Sequence, residues 1–191
     1  MNLPNKLTIV RLVLIPAFVA VFYISAIPYN YLISAIIFLV AAFTDFLDGY
    51  IARKYNLVTD LGKFLDPIAD KVLVSTALIV MLMPAVNEPA ILPAYSAIAI
   101  ALILARELIV SGFRMVAASK GAVLAADWSG KVKTFVTDIA IVVLLVGADF
   151  MPGLYSVVNI IGLVLLGIST LLTVYSGIEC VVKNRKVLQT K

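Results

Sequence analysis

Six apolar segments, near residues 7 to 28, 31 to 53, 64 to 85, 90 to 115, 131 to 149 and 153 to 181, take up most of this 191-residue chain. A helix needs about 20 apolar residues to cross the ~30 Å hydrocarbon core of a bilayer, and each segment approaches or exceeds that length. Hydrophobic residues make up 63% of the chain and charged residues 14%, against about 45 to 50% and about 25% in a soluble domain. The expected fold class is an all-α integral membrane protein with six transmembrane helices. Residues 1–191 are read as a single membrane-embedded domain. No A-x-A-like cleavage site precedes the second segment, so no cleaved signal peptide is expected.

Basic residues set the expected topology, because cytoplasmic flanks carry excess Lys and Arg. With the N-terminus inside, all 15 basic residues fall at or near the cytoplasmic side, and the three opposite loops carry only Glu88 and Asp149 as charges. Both termini are therefore placed in the cytoplasm. Residues 2–10 are read as lying along the membrane surface before the first span.

Against this apolar background, Asp45, Asp48, Asp66 and Asp70 fall within 26 residues, flanking one cytoplasmic turn. Carboxylates at membrane depth cost several kcal/mol each unless paired or metal-bound. Asp45 and Asp48 are three apart on the second span, and Asp66 and Asp70 four apart on the third, so each pair shares a helical face. A short link makes the two helices antiparallel neighbours, and two facing acidic pairs can chelate two ions. The chain has no His and only Cys180, so any metal is held by oxygen, which favours Mg²⁺, Mn²⁺ or Ca²⁺. Asp60 reads as a cap of the third helix. Plain ion pairing of the acids with Arg53, Lys54 and Lys71 leaves Gly49 and Gly62 unexplained. Glycine in a membrane helix marks the close approach of a backbone or a ligand, and Gly49 with Ala52 would open a slot beside the Asp48 face.

Read as D-x-x-D-G-x-x-A-R, eight residues, then G-x-x-x-D-x-x-x-D, the stretch Asp45, Asp48, Gly49, Ala52, Arg53, Gly62, Asp66 and Asp70 resembles the signature of the CDP-alcohol phosphotransferases without a gap. The resemblance implies the six-helix fold of that family, usually a homodimer, with two divalent cations, Mg²⁺ or Mn²⁺. It implies transfer of a phosphatidyl or similar group from a CDP-linked donor to an alcohol, with release of CMP. By the same resemblance Asp45, Asp48 and Asp66 are the principal metal ligands. Asp70 contacts the second ion and takes the proton of the attacking hydroxyl, while Gly49, Ala52, Arg53 and Gly62 shape the donor pocket. Such a base must lie within hydrogen-bond reach of that proton.

Similarity extends over nearly the whole chain. Leu3 to Arg11, Arg106 to Arg114 and Ser129 to Thr134 look like the phosphatidylglycerophosphate synthase branch, which implies CDP-diacylglycerol as donor and sn-glycerol 3-phosphate as acceptor. Asn5, Thr8 and Arg11 resemble positions at the donor end, where two hydrogen-bonding side chains and a guanidinium fork suit phosphate. Arg106, Arg114, Lys131 and Lys133 supply positive charge that an anionic acceptor requires. Glu107 is placed to orient one of these cations and Asp138 to pair with another, with neither partner fixed. Lys131 and Lys133 also suit anionic lipid headgroups.

Other acceptors of the same family, such as inositol phosphate, serine or a lipid alcohol, are the nearest alternative. From another class, a cation transporter would line an ion path with the same aspartates. Transporters, however, place their sites at the midplane between repeated or broken helices, whereas these acids sit toward one face. The expected setting is the cell membrane, among membrane lipids, with the active site facing the cytoplasm and no nucleic-acid partner. Ser129 reads as an N-cap, Trp128, Tyr29, Tyr31, Tyr95 and Tyr155 as interface anchors, and Glu179 and Cys180 carry no assigned role.

Overall fold

The computed structural model describes residues 3–55, 60–84, 90–119, 128–150 and 155–183. They form α1 (Leu3–Tyr23), α2 (Asn30–Lys54), α3 (Asp60–Leu82), α4 (Ser96–Ser119), α5 (Trp128–Asp149) and α6 (Tyr155–Lys183), with no strand among the described residues. The side chains of Ala52, Arg53, Asp60, Asp66 and Tyr155, and all of Glu88, lie outside the description.

Two helical hairpins make up the frame. α1 packs along α2 and α5 along α6, α2 joins the hairpins by lying on α5, and α4 lies on α6. Among the described residues α3 leans more on α1 than on α2. The shared interior holds Phe18 and Phe22 of α1, Phe38 of α2, Leu73, Leu78 and Met81 of α3, and Ile141, Leu144 and Leu145 of α5. Phe22 meets Tyr31 edge-on, with ring centroids 5.0 Å apart, and α5 and α6 approach so closely that a β-carbon at Gly162 would collide with Leu144. Large apolar side chains also cover the outside, among them Val13, Ile36, Phe43, Leu108, Ile109, Leu171 and Ile178. A surface this apolar is what a lipid solvent selects and what water would not tolerate.

Among the described residues, four helices are long and apolar enough to cross a membrane, over Asn5–Tyr23, Asn30–Ile51, Ser96–Ala117 and Val157–Lys183. The remaining two of the six expected spans, α3 and α5, fall short by composition. Asp60, Lys63, Asp66, Asp70 and Lys71 fill the first half of α3, and Lys131, Lys133 and Asp138 the first half of α5.

Several boundaries differ from expectation. α1 is one continuous helix from Leu3, so residues 3–10 are not an element separate from the first span. It ends at Tyr23 because the Asn30 side-chain amide donates to the Phe22 carbonyl at 2.7 Å, supplying a partner that a further turn would otherwise provide. Tyr29 then takes a left-handed conformation (φ 57°) and the chain reverses into α2. The Leu32 amide at the start of α2 donates to the carboxylate of Asp149 at 2.5 Å, so this acid caps a neighbouring helix. α4 starts at Ser96, because Ile91 and Leu92 are buried in the core and the Leu92 amide donates to the Met81 carbonyl at 2.8 Å.

Candidate active site

The acid pair on α2 is held from α1. Asp45 and Asp48 share one face of α2, and Arg11 faces them across the α1–α2 contact. Nη1 of Arg11 donates to Asp45 Oδ1 at 2.7 Å, Nη2 to Asp48 Oδ2 at 2.6 Å, and Nε to the Ala41 carbonyl at 3.3 Å. The Arg11 side chain is 0% exposed and that of Asp48 2%, whereas Asp45 stays 42% exposed. The guanidinium expected to meet donor phosphate is therefore engaged with two carboxylates, because a buried arginine requires fixed acceptors and α2 presents them at helical spacing. Asn5 and Thr8, on the same helix, are buried as well, and Gly62 at the start of α3 is buried while Gly49 is partly so.

Asp70 belongs to a second constellation. One pocket is lined by Asp70 and Lys71 of α3, Glu107 of α4, and Lys133, Thr134 and Thr137 of α5. Lys133 is buried, 6% exposed at its side chain, and ion-pairs with Glu107 Oε1. Arg106 Nη1 donates to the same oxygen at 3.2 Å, and Nη2 to Ser176 Oγ on α6 at 2.8 Å. The Arg106 stem crosses α6 at Gly177, where a β-carbon would stand 2.9 Å from Arg106 Cγ. Thr137 shares a 2.5 Å hydrogen bond with Ser169 and donates to the Lys133 carbonyl, which fixes the α5 wall against α6.

The structure thus brings Asp70, Lys71, Glu107 and Lys133 to one pocket, whereas Arg106 reaches it through Glu107 and itself borders a separate apolar cavity between α4 and α6. Arg114, two turns along α4 from Arg106, is partly buried, and Lys131 is exposed at the start of α5. Glu107, expected to orient one cation, binds two. Asp138 is partly buried with Oδ1 unpartnered among the described residues, so the expected cation pair is not seen at that oxygen. Ser129 lies inside the first turn of α5 and donates to Glu179 at 2.8 Å, an α5–α6 tie in place of the expected N-cap. Trp128, Tyr29 and Tyr95 are exposed, as interface anchors would be, whereas Tyr31 is buried against Phe22.

Among the described residues no three acids gather as a metal site. The donor chemistry nonetheless fits a hard divalent cation, since every candidate ligand is a carboxylate oxygen and the described α2 pair combines one buried with one half-open side chain.

The family profile described as CDP-alcohol phosphatidyltransferase matches residues 1–175. This chain belongs to that family. Curated relatives named CDP-diacylglycerol–glycerol-3-phosphate 3-phosphatidyltransferase include one from Bacillus subtilis (strain 168), 40% identical over 99% of this chain and 98% of its own length. One from Rickettsia bellii is 41% identical over 92% and 91%, and one from Salmonella typhimurium 38% over 93% and 92%. For a CDP-alcohol phosphatidyltransferase the informative side chains missed in the sequence are Ser176 and Glu179 on α6. Ser176 is one of several polar residues on α6 and Glu179 is that helix's single acid; each finds its partner on α4 or α5. Only the acid on an apolar helix was a signal in the sequence.

Proposed function

We propose that this chain transfers the phosphatidyl group of CDP-diacylglycerol to sn-glycerol 3-phosphate, giving phosphatidylglycerol phosphate and CMP. The shared pocket of Asp70 and Lys133 supports this most directly, because it sets a proton acceptor beside a buried cation that suits the acceptor's phosphate. In the reaction the acceptor hydroxyl oxygen bonds to the β-phosphorus of the donor as the bridging P–O bond breaks. CMP leaves with the bonding electron pair and Asp70 takes the hydroxyl proton. Lys133, Arg106 and Arg114 hold the acceptor phosphate, and Asn5 and Thr8 line the donor end with Gly49, Ala52, Arg53 and Gly62. Arg11 orients Asp45 and Asp48. Asp45, Asp48, Asp66 and Asp70 would hold two divalent cations, Mg²⁺ or Mn²⁺, which when bound neutralise the charge of the donor pyrophosphate.

The chain is a single catalytic domain in the cell membrane. α3 and α5 cross the bilayer with the other four helices, their charges grouped at one end, and both termini and the active site face the cytoplasm. Its working form is a homodimer.

Purified protein supplied with CDP-diacylglycerol, Mg²⁺ and one acceptor at a time tests the reaction through CMP release. Glycerol 3-phosphate is expected to support turnover, with phosphatidylglycerol phosphate as the lipid product. Turnover with inositol phosphate, serine or a lipid alcohol instead would reassign the acceptor.

A further inference from the structure

Glu107 stands between two cations that an anionic acceptor would need, and it does so with a single atom. Its Oε1 accepts from Arg106 Nη1 at 3.2 Å and pairs with Lys133 Nζ. Two nitrogens hydrogen-bonded to one oxygen lie no more than about 6 Å apart, close enough to reach neighbouring oxygens of one phosphate group. We propose that Glu107 is a positioning residue, tying Arg106, just outside the pocket's lining, to Lys133, which with Asp70 lines it, as one clamp for the acceptor phosphate. This rests on the acceptor assignment above.

Charge and burial both favour the role. Arg106 and Lys133 are 11% and 6% exposed at their side chains, so without a carboxylate between them they would repel each other in a poorly solvated place. Glu107 offsets one of the two charges, and the three groups taken by themselves carry a net positive charge, which favours an anion. The other side of Arg106 is fixed too, by Ser176 at 2.8 Å and by the close passage of its stem at Gly177. Glu107 itself lines the pocket, so a change there is felt where the acceptor phosphate would bind.

Steady-state kinetics of Glu107→Gln test the assignment, with glycerol 3-phosphate and CDP-diacylglycerol varied separately and inorganic phosphate added as a competitor. The KM for glycerol 3-phosphate is expected to rise about tenfold or more, with inhibition by inorganic phosphate weakened in parallel. The KM for CDP-diacylglycerol stays near wild type, while the melting temperature in detergent falls because two buried cations lose their carboxylate. Glu107→Asp keeps the charge but shortens the reach, and its KM for glycerol 3-phosphate falls between wild type and Glu107→Gln; this variant also serves if Glu107→Gln does not fold. An unchanged KM for glycerol 3-phosphate in an active variant overturns the role of Glu107 alone. Equal losses in both KM values also overturn it, in favour of a purely structural ion pair. A wild-type protein that releases no CMP with glycerol 3-phosphate overturns the acceptor assignment, and this proposal falls with it.

Discussion

Two buried ion clusters in this molecule are near mirror images in charge. At the α1–α2 contact one guanidinium, Arg11, holds two carboxylates, Asp45 and Asp48; between α4 and α5 one carboxylate, Glu107, holds two cations, Arg106 and Lys133. Taken by itself, each trio is one charge away from neutrality, the first negative and the second positive. A balanced pair would add only to the fold, whereas an unbalanced trio is ordered by its own contacts and still attracts a ligand of opposite sign. Cations suit the first, and a phosphate group suits the second. Asp70 lies on the wall of the second cluster, on the helix that also carries Asp66.

Breaking the link between the two clusters should have the largest effect. Asp70→Asn removes the proton acceptor while largely preserving donor binding, and turnover is expected to fall by about 10²- to 10⁴-fold. Near-normal turnover in a CMP-release assay would contradict the role of Asp70.

Next is Arg11→Met, which takes the guanidinium away from the buried Asp48 carboxylate at a cost of about 3–5 kcal/mol. Its melting temperature in detergent should drop sharply and recover in part when Mg²⁺ is added. Unchanged melting would mean that the acid pair does not depend on Arg11. Asp45→Ala probes the same cluster from the open side and should shift the Mg²⁺ dependence of activity by at least about tenfold; an unchanged titration argues against ligation. The smallest effect is expected away from both clusters, at Gly162→Ala. The new methyl group overpacks Leu144 and costs about 1–3 kcal/mol, which lowers the melting temperature and leaves both KM values as they were.

Much of this arrangement is legible from sequence because helix spacing is local and strong. Asp45 and Asp48 at i and i+3 had to share a face, and apolar runs of bilayer length had to become helices. The partners of these residues were not legible, since a partner belongs to another helix and depends on how the two cross. Arg11 looked like a phosphate ligand because nothing in positions 3 to 11 reports that Ala41, Asp45 and Asp48 would lie against it. The same blindness hid the double grip of Glu107 and the tie from Ser129 to Glu179, which span 26 and 50 residues. The end of α1, expected near residue 28, was misread because the Asn30 side chain supplies a partner to the Phe22 carbonyl and the helix stops at Tyr23.

The division of labour between the clusters is tested most directly by the two KM values of Arg106→Ala. Removing one of the two cations that Glu107 holds should raise the KM for glycerol 3-phosphate by about tenfold or more and leave that for CDP-diacylglycerol within about twofold of wild type. An equal rise in both, or a rise for CDP-diacylglycerol alone, would show that the cationic cluster does not serve the acceptor.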